Sequence, residues 1–211
     1  MKTEILQILR NTDGYVSGQQ LCDTLGVSRT AVWKVINQLK EEGYEIEAVR
    51  NRGYRIVEAA DVLNASELKS RLHTKHIGSE IYYQSEIDST NSWLKRLAEE
   101  GAPDGSVTIA DMQSRGKGRR GRVWVTPFGT SIPFSILLRP DIRPERASML
   151  TLVMGLCVAE AMEQLYGMDV GIKWPNDVVV NGKKICGILT EMTMQAEYID
   201  SVIIGTGINA N

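Results

Sequence analysis

The ten residues Gln113-Ser114-Arg115-Gly116-Lys117-Gly118-Arg119-Arg120-Gly121-Arg122 decide how the rest of this chain is read. Five of them are cationic, three are glycine and none is apolar. The stretch therefore belongs neither to a core nor to regular structure and reads as a mobile cationic loop. Gly116, Gly118 and Gly121 have the spacing of a dinucleotide-binding turn, but that turn must open directly into a helix whose N-terminus receives the pyrophosphate. This loop leads instead into Val123-Trp124-Val125-Thr126-Pro127, a short β-like run closed by proline, and the Rossmann reading fails. A kinase-type glycine loop fails too, because no catalytic-loop or Asp-Phe-Gly signature lies downstream. Two readings of the loop stay open. One is an anion-gripping flap, in which glycines free backbone N–H groups and arginine forks take phosphate or carboxylate oxygens. The other is a solvated basic loop that binds nothing in particular.

Working outward, the flanks of the loop read as mixed α/β. Val107 to Ala110 is an apolar strand that delivers Gln113. Val123 to Val125 reads as a returning strand, and Ile132 to Leu138 as another. Upstream, Ile81 to Tyr83 is strand-like, then Asp88-Ser89-Thr90-Asn91 precedes a helix bearing Trp93, Leu94 and Leu97. One capping side chain suffices there. The surplus is either a redundant cap or a set of donors and acceptors facing a polar ligand. Downstream, Arg146 to Tyr166 reads as an amphipathic helix with Met149, Leu150, Val153, Leu156, Cys157 and Val158 as its apolar face. Val170 to Trp174 runs into Pro175-Asn176-Asp177, and Asn181-Gly182 is the strongest short-range hairpin signal. Lys183 and Lys184 open the next strand, and Tyr198 to Ile204 is the last, trailed by Gly205, Gly207 and Asn209. Trp124 is either a core aromatic or a flat surface for a base.

The first sixty residues have a different character. Ser17 with Gln20 makes a capping box, Gly26 stops that helix, and Ser28 caps a third helix with Val32, Val35, Ile36 and Leu39 on one face. Arg29, Thr30, Trp33, Lys34, Asn37 and Lys40 are left on or near its other faces, and of these all but Lys40, with Ser28, are the candidate DNA contacts. The period then changes to two through Tyr44, Ile46 and Ala48, turns at Arg50-Asn51-Arg52-Gly53 and resumes at Tyr54 and Ile56. Helix-turn-helix plus basic hairpin is a winged helix, with Arg50, Arg52 and Arg55 placed for phosphates. A protein-interaction module of the same shape is the alternative. Glu58 to Asn64 reads as a linker, and Ser66 as the cap of a brief helix through Leu72. The expected boundaries are 1–60 for the winged helix, 61–76 for linker and short helix, and 77–211 for the larger domain.

Composition narrows the class. A formal charge of −2 on 211 residues means that any anion binding comes from local clusters. Cys22, Cys157 and Cys186 are odd in number and sit in apolar neighbourhoods, which reads as buried thiols in a reducing cytoplasm rather than a disulfide framework. No metal spacing, signal peptide or segment of membrane-span length is read, and His73 and His76 read as surface residues.

Five stretches occur in a fixed order: Ser89-Thr90-Asn91, the Gln113 to Arg122 loop, Lys173-Trp174-Pro175-Asn176-Asp177, Lys184 with Gly187-Ile188-Leu189, and Gly205-Thr206-Gly207-Ile208-Asn209. Together with the winged helix they resemble the biotin-protein ligases of the bifunctional, operon-repressing kind. The resemblance implies an α/β (α+β) architecture: a winged helix-turn-helix followed by a mixed-sheet, class II synthetase-like ligase domain. It implies that biotin and ATP form biotinyl-5′-AMP with Mg²⁺, and that a lysine of biotin carboxyl carrier protein takes the biotin, the activity of a biotin-[acetyl-CoA-carboxylase] ligase. It further implies operator DNA as partner and a ligand-promoted homodimer.

Carried over by residue, Ser89, Thr90 and Gln113 would hydrogen-bond the biotin ureido ring, with Gly116 and Lys117 in the loop that closes over it and Asn91, Gly121, Gly187, Gly205 and Gly207 also against biotin. Arg119 and Arg122 would steady phosphate, Trp124 would pack on biotin or adenine, and Asn176 and Asn209 would serve ATP. Asp177 would take Mg²⁺, and Lys184 would contact the biotin carboxylate and bridging oxygens; Lys184, Arg119 and Arg122 are the candidate catalytic residues. The chain departs from the family pattern at Lys117, Thr126, Ser131 and Pro133, the last expected at an edge or bulge. The resemblance also implies further sequence after Asn211, including a small β-barrel that helps cover ATP. A lipoate-type ligase, and a repressor that senses biotin or its adenylate without transferring it, are the alternative readings.

Overall fold

A computed structural model describes residues 1–58 and 62–210, in two compact units, Met1–His73 and Thr74–Asn211. Part of the expected linker, residues 59–61, lies outside the described residues.

In the first unit, α1 (Lys2–Arg10), α2 (Gly18–Leu25) and α3 (Arg29–Glu41) are followed by the hairpin β1 (Glu45–Val49) and β2 (Gly53–Glu58), then α4 (Ala65–Arg71). Local chemistry sets the joints. Ser17 Oγ accepts from Gln20 N at 3.1 Å while Gln20 Oε1 accepts from Ser17 N at 2.9 Å, and Gly26 ends α2 in the left-handed region at φ 65°. Leu6, Leu21, Val32, Ile36, Leu39 and Ile46 make the core, each stabilising the fold by roughly 1.5–3 kcal/mol. Gly53 has φ 112°, and a Cβ there would meet Val16 O at 2.0 Å. The glycine thus lets β2 bridge to Val16 through Tyr54. Asn64, not Ser66, caps α4, accepting from Glu67 N at 2.9 Å. The buried Glu67 carboxylate takes Arg10 at 2.6 Å, Arg71 at 2.6 Å and the Tyr44 hydroxyl at 2.5 Å. Those contacts anchor α4 to α1 and to Tyr44, so the expected linker helix is part of the winged-helix unit.

The second unit runs β3 (Ile81–Ile87), α5 (Thr90–Glu99), β4 (Val107–Gln113), β5 (Ser131–Leu138), α6 (Met149–Tyr166), β6 (Val170–Lys173), β7 (Asp177–Val180), β8 (Lys183–Gln195) and β9 (Tyr198–Asn209). These strands form one mixed sheet in the order β3-β4-β5-β9-β8-β7-β6. Only β3 and β4 pair in parallel, joined through α5. The turn Asn181-Gly182 has φ 50° and 73°, the signature of a type I′ hairpin. Side chains alternate across the sheet: Ile203 joins Leu94 and Leu137 beside α5, whereas Val202 and Ile204 join Val158 and Ala159 of α6. The two helices therefore cover opposite faces.

Several expectations need correction. The run Val123 to Val125 is not a strand; only isolated bridges Lys117 to Val123 and Gln113 to Thr126 form. Helix α6 is apolar on most of its circumference, so periodicity misassigned its face: Gly155, Val158 and Ala159 are buried, while Met149, Val153, Leu156 and Cys157 are exposed. With its preceding turn it covers Pro144 to Tyr166, long and apolar enough by composition to cross a membrane, contrary to the sequence reading. Here it lies on the sheet. Pro133 sits in an interior strand, but the β4 ladder ends at Phe134, leaving the proline where β5 is paired only with β9.

Candidate active site

Three glycines at matched register leave a bare strip on the α5 face of the sheet. Gly187 pairs with Gly207, and Leu189 with Gly205. Each bare Cα is met by a side chain. A Cβ on Gly205 would lie 1.9 Å from Asn91 Oδ1; on Gly207 it would lie 2.7 Å from Trp124 Nε1, and on Gly187 2.8 Å from the Trp124 ring. The indole thus lies flat on the Gly187–Gly207 pair, and the start of α5 rests on Gly205. One two-residue step along β9, about 7 Å, separates these two ends of the site.

At the α5 end, Gln113 substitutes for a local cap. Ser89, the N-cap residue, makes no side-chain cap bond; instead Thr90 N donates to Gln113 Oε1 at 2.9 Å, as does Thr90 Oγ1 at 3.2 Å. Gln113 Nε2 donates to buried Thr126 Oγ1 at 3.2 Å. Asp88 accepts from Ser89 N at 2.8 Å and pairs with Arg96 at 2.9 Å, and the Arg96 guanidinium holds the Asp88 carboxyl down at about 2. At the indole end, Lys184 Nζ lies 2.7 Å from Asp177 Oδ1 and 5.1 Å from the Trp124 ring centroid. Arg119 donates to Asn176 Oδ1 at 3.0 Å, bringing the cationic loop to the strand end beyond β6. The loop folds back through Gly118 N to Arg122 O at 2.7 Å and Trp124 N to Gly116 O at 2.9 Å. A Cβ on Gly116 would sit 2.2 Å from Trp124 O.

Between these groups lies a cavity of about 500 Å³. Its wall includes Ser89, Thr90, Asn91, Gln113, Lys117 and Arg119, then Arg122, Trp124, Asn176, Asp177 and Lys184 above Gly187, Gly205 and Gly207. Gly116, Gly121 and Asn209 are not part of it; Asn209 Nδ2 instead donates to Lys184 O at 3.3 Å. Sequence reasoning missed Ser135, Thr126 and Glu191, which hold the wall from behind. For Ser135 a signal existed: Ser131, Pro133 and Ser135 alternate with Ile132, Phe134 and Ile136, placing a hydroxyl on the α5 face. Among the described residues no group of three or more His, Cys, Asp or Glu could hold a metal. Asp177 is already paired with Lys184, so these side chains alone do not make a Mg²⁺ site.

In the winged-helix unit, Ser28, Arg29, Thr30, Trp33 and Lys34 are exposed and Asn37 half-buried on α3, with Arg50 and Arg52 exposed at the hairpin tip. Arg52 and Arg55 lie over the Tyr15 ring at 5.8 and 5.0 Å. Arg55 is paired with Glu47 at 2.8 Å, whereas Arg50 and Arg52 point from the hairpin tip toward solvent.

Residues 83–209 match the biotin/lipoate A/B protein ligase family, and residues 2–55 an HTH domain. The chain is 46% identical over 93% of its length to the bifunctional ligase/repressor BirA of Bacillus spizizenii, and 36% identical over 98% to that of Escherichia coli. It spans 61% and 62% of those relatives' lengths. Among solved structures, the Aquifex aeolicus biotin protein ligase in complex with biotin and ATP matches 63% of this chain and 53% of its own, at 36% identity and a TM-score of 0.52. Most of the chain, including every strand and loop of the cavity just described, falls inside the matched family region, and the chain belongs to the biotin/lipoate A/B protein ligase family.

Proposed function

We propose that this chain carries the biotin-activating centre and the DNA-binding head of a bifunctional biotin–protein ligase and repressor. The carboxylate of biotin attacks the α-phosphorus of ATP, giving biotinyl-5′-AMP and releasing pyrophosphate. The amine of a carrier-protein lysine then attacks the acyl carbon and expels AMP. No side-chain nucleophile is required, so the protein contributes position and charge.

The observation that carries this reading is the polarity of one cavity: neutral hydrogen-bonding groups, Thr90 and Gln113, at the α5 end, and cations, Lys184 and Arg119, toward the indole. A neutral ring with a carboxylate tail matches that layout. Lys184 is held by Asp177 in the free chain, and an arriving carboxylate competes for the same ammonium. Arg119, Arg122 and Asn176, which line the same cavity, take the nucleotide. Mg²⁺ would neutralise phosphate charge when bound with ATP; no step is assigned to it, since among the described residues no second carboxylate joins Asp177. The exposed α3 face with Arg50 and Arg52 is the operator-binding surface, and the adenylate-loaded protein acts as a homodimer in the cytoplasm, with biotin carboxyl carrier protein as acceptor.

Incubating the chain with biotin, ATP and Mg²⁺ and measuring pyrophosphate tests the proposal. Biotin-dependent release supports a ligase. Biotin binding without release would replace it with a sensor, and release with lipoate instead of biotin would replace it with a lipoate-type enzyme.

A further inference from the structure

Asn91 was expected to touch ligand, yet both its amide hydrogens and one lone pair of its oxygen are already engaged within the chain. Nδ2 donates to Leu189 O at 3.2 Å and to Glu191 Oε2 at 2.7 Å, and Oδ1 accepts from Ser135 Oγ at 2.6 Å. A carbonyl and a carboxylate can only accept, so the amide has one allowed orientation. Its partners come from β5 and β8, and the amide rests on Gly205 of β9. A second amide is fixed the same way: Thr90 N can only donate, which turns Gln113 Oε1 toward α5 and leaves one Nε2 hydrogen free after Thr126.

We infer that Asn91 is a positioning residue rather than a ligand contact: gripped by Ser135, Leu189 and Glu191, it pins the start of α5 so that Thr90 and Gln113 present an acceptor beside a donor. A urea, with N–H and C=O adjacent, is the complement of that pair. Ser135 ties the strut to the ligand. Its single hydrogen is divided between Asn91 Oδ1 at 2.6 Å and Thr90 Oγ1 at 2.8 Å. A ligand N–H arriving at Thr90 takes the remaining lone pair of Oγ1, so Ser135 links the ligand's partner directly to Asn91.

This inference rests on the biotin reading above and is tested by an isosteric exchange. In Asn91→Asp the donor end becomes a carboxylate facing Glu191 and Leu189 O. Biotin affinity, read by titration calorimetry, falls about tenfold or more from loss of a charge-assisted hydrogen bond. The KM for biotin rises while that for ATP holds. Adding Glu191→Gln supplies a donor to Asp at position 91 and restores most of the affinity. Wild-type affinity in Asn91→Asp would show a mere space-filler and overturn the inference. Loss without recovery in the double variant would return Asn91 to ligand contact and overturn it as well. Should Asn91→Asp fail to fold, Ser135→Ala removes one grip without adding charge; it must weaken biotin while circular dichroism shows the fold retained, and unaltered affinity would refute the strut. A wild-type chain that takes no biotin would sink this inference together with the function it rests on.

Discussion

Gly205 and Gly207 are two residues apart on one strand, yet the structure gives them different reasons to be glycine, and alanine substitutions separate those reasons. In Gly205→Ala the new methyl group starts 1.9 Å from Asn91 Oδ1. An ordinary contact needs about 3.4 Å, so Asn91 must retreat by roughly 1.5 Å. Its hydrogen bonds of 2.6, 2.7 and 3.2 Å do not survive that shift. Two neutral bonds at about 1 kcal/mol each and one to a carboxylate at about 1.5 kcal/mol sum to roughly 3–4 kcal/mol. In Gly207→Ala the methyl meets Trp124 Nε1 at 2.7 Å. Trp124 lies on the loop, and its buried Nε1 has no hydrogen-bond partner to lose. A retreat of under 1 Å costs about 1 kcal/mol or less. Urea unfolding of the second unit, followed by circular dichroism, reads the difference as a large drop in midpoint for Gly205→Ala and a small one for Gly207→Ala. Trp124 fluorescence should change only in the latter's folded state. Equal midpoints for the two variants would refute this account of the glycine strip.

Lys184→Ala is expected to slow pyrophosphate release about 10- to 100-fold, the effect of one charge-assisted contact, while Lys183→Ala changes it less than about twofold; equal effects in the same assay would count against the assignment. Asp88, depressed to about 2 from 3.8 first by its hydrogen bond to Arg96, contributes stability that is present above pH 4 and lost as pH falls toward 2. The site is largely exposed, so the effect is small, and acid unfolding of Asp88→Asn should lack that part of the decline in this window. Arg50→Ala and Arg52→Ala should each weaken DNA binding across sequences and lower the slope of log affinity against log salt by about one unit, whereas Arg55→Ala, already paired with Glu47, should leave the slope nearly unchanged in a fluorescence-anisotropy titration.

What the sequence disclosed was local. The Ser17–Gln20 box, the left-handed Gly26 and the Asn181-Gly182 turn each depend on residues within a few positions, so short-range chemistry determines them. The direction of α6 was not legible, because a helix apolar on nearly all sides carries no preferred face. The strut at Asn91 was hidden for a different reason: its partners are 44, 98 and 100 residues away, and only the sheet order brings them together. Gly187, Gly205 and Gly207 were expected against the ligand; within the chain itself the groups that meet them are Trp124 and Asn91. Cys157 sits in an apolar run and still faces outward, because it lies on the bare side of α6.

The most direct test of the central claim is a crystal structure of the chain with biotin bound. The account predicts the ureido ring between Thr90 and Gln113, with the carboxylate drawn to Lys184 and away from the Asp177 pairing. Biotin density outside this cavity, or a carboxylate turned from Lys184 toward the start of α5, would contradict it.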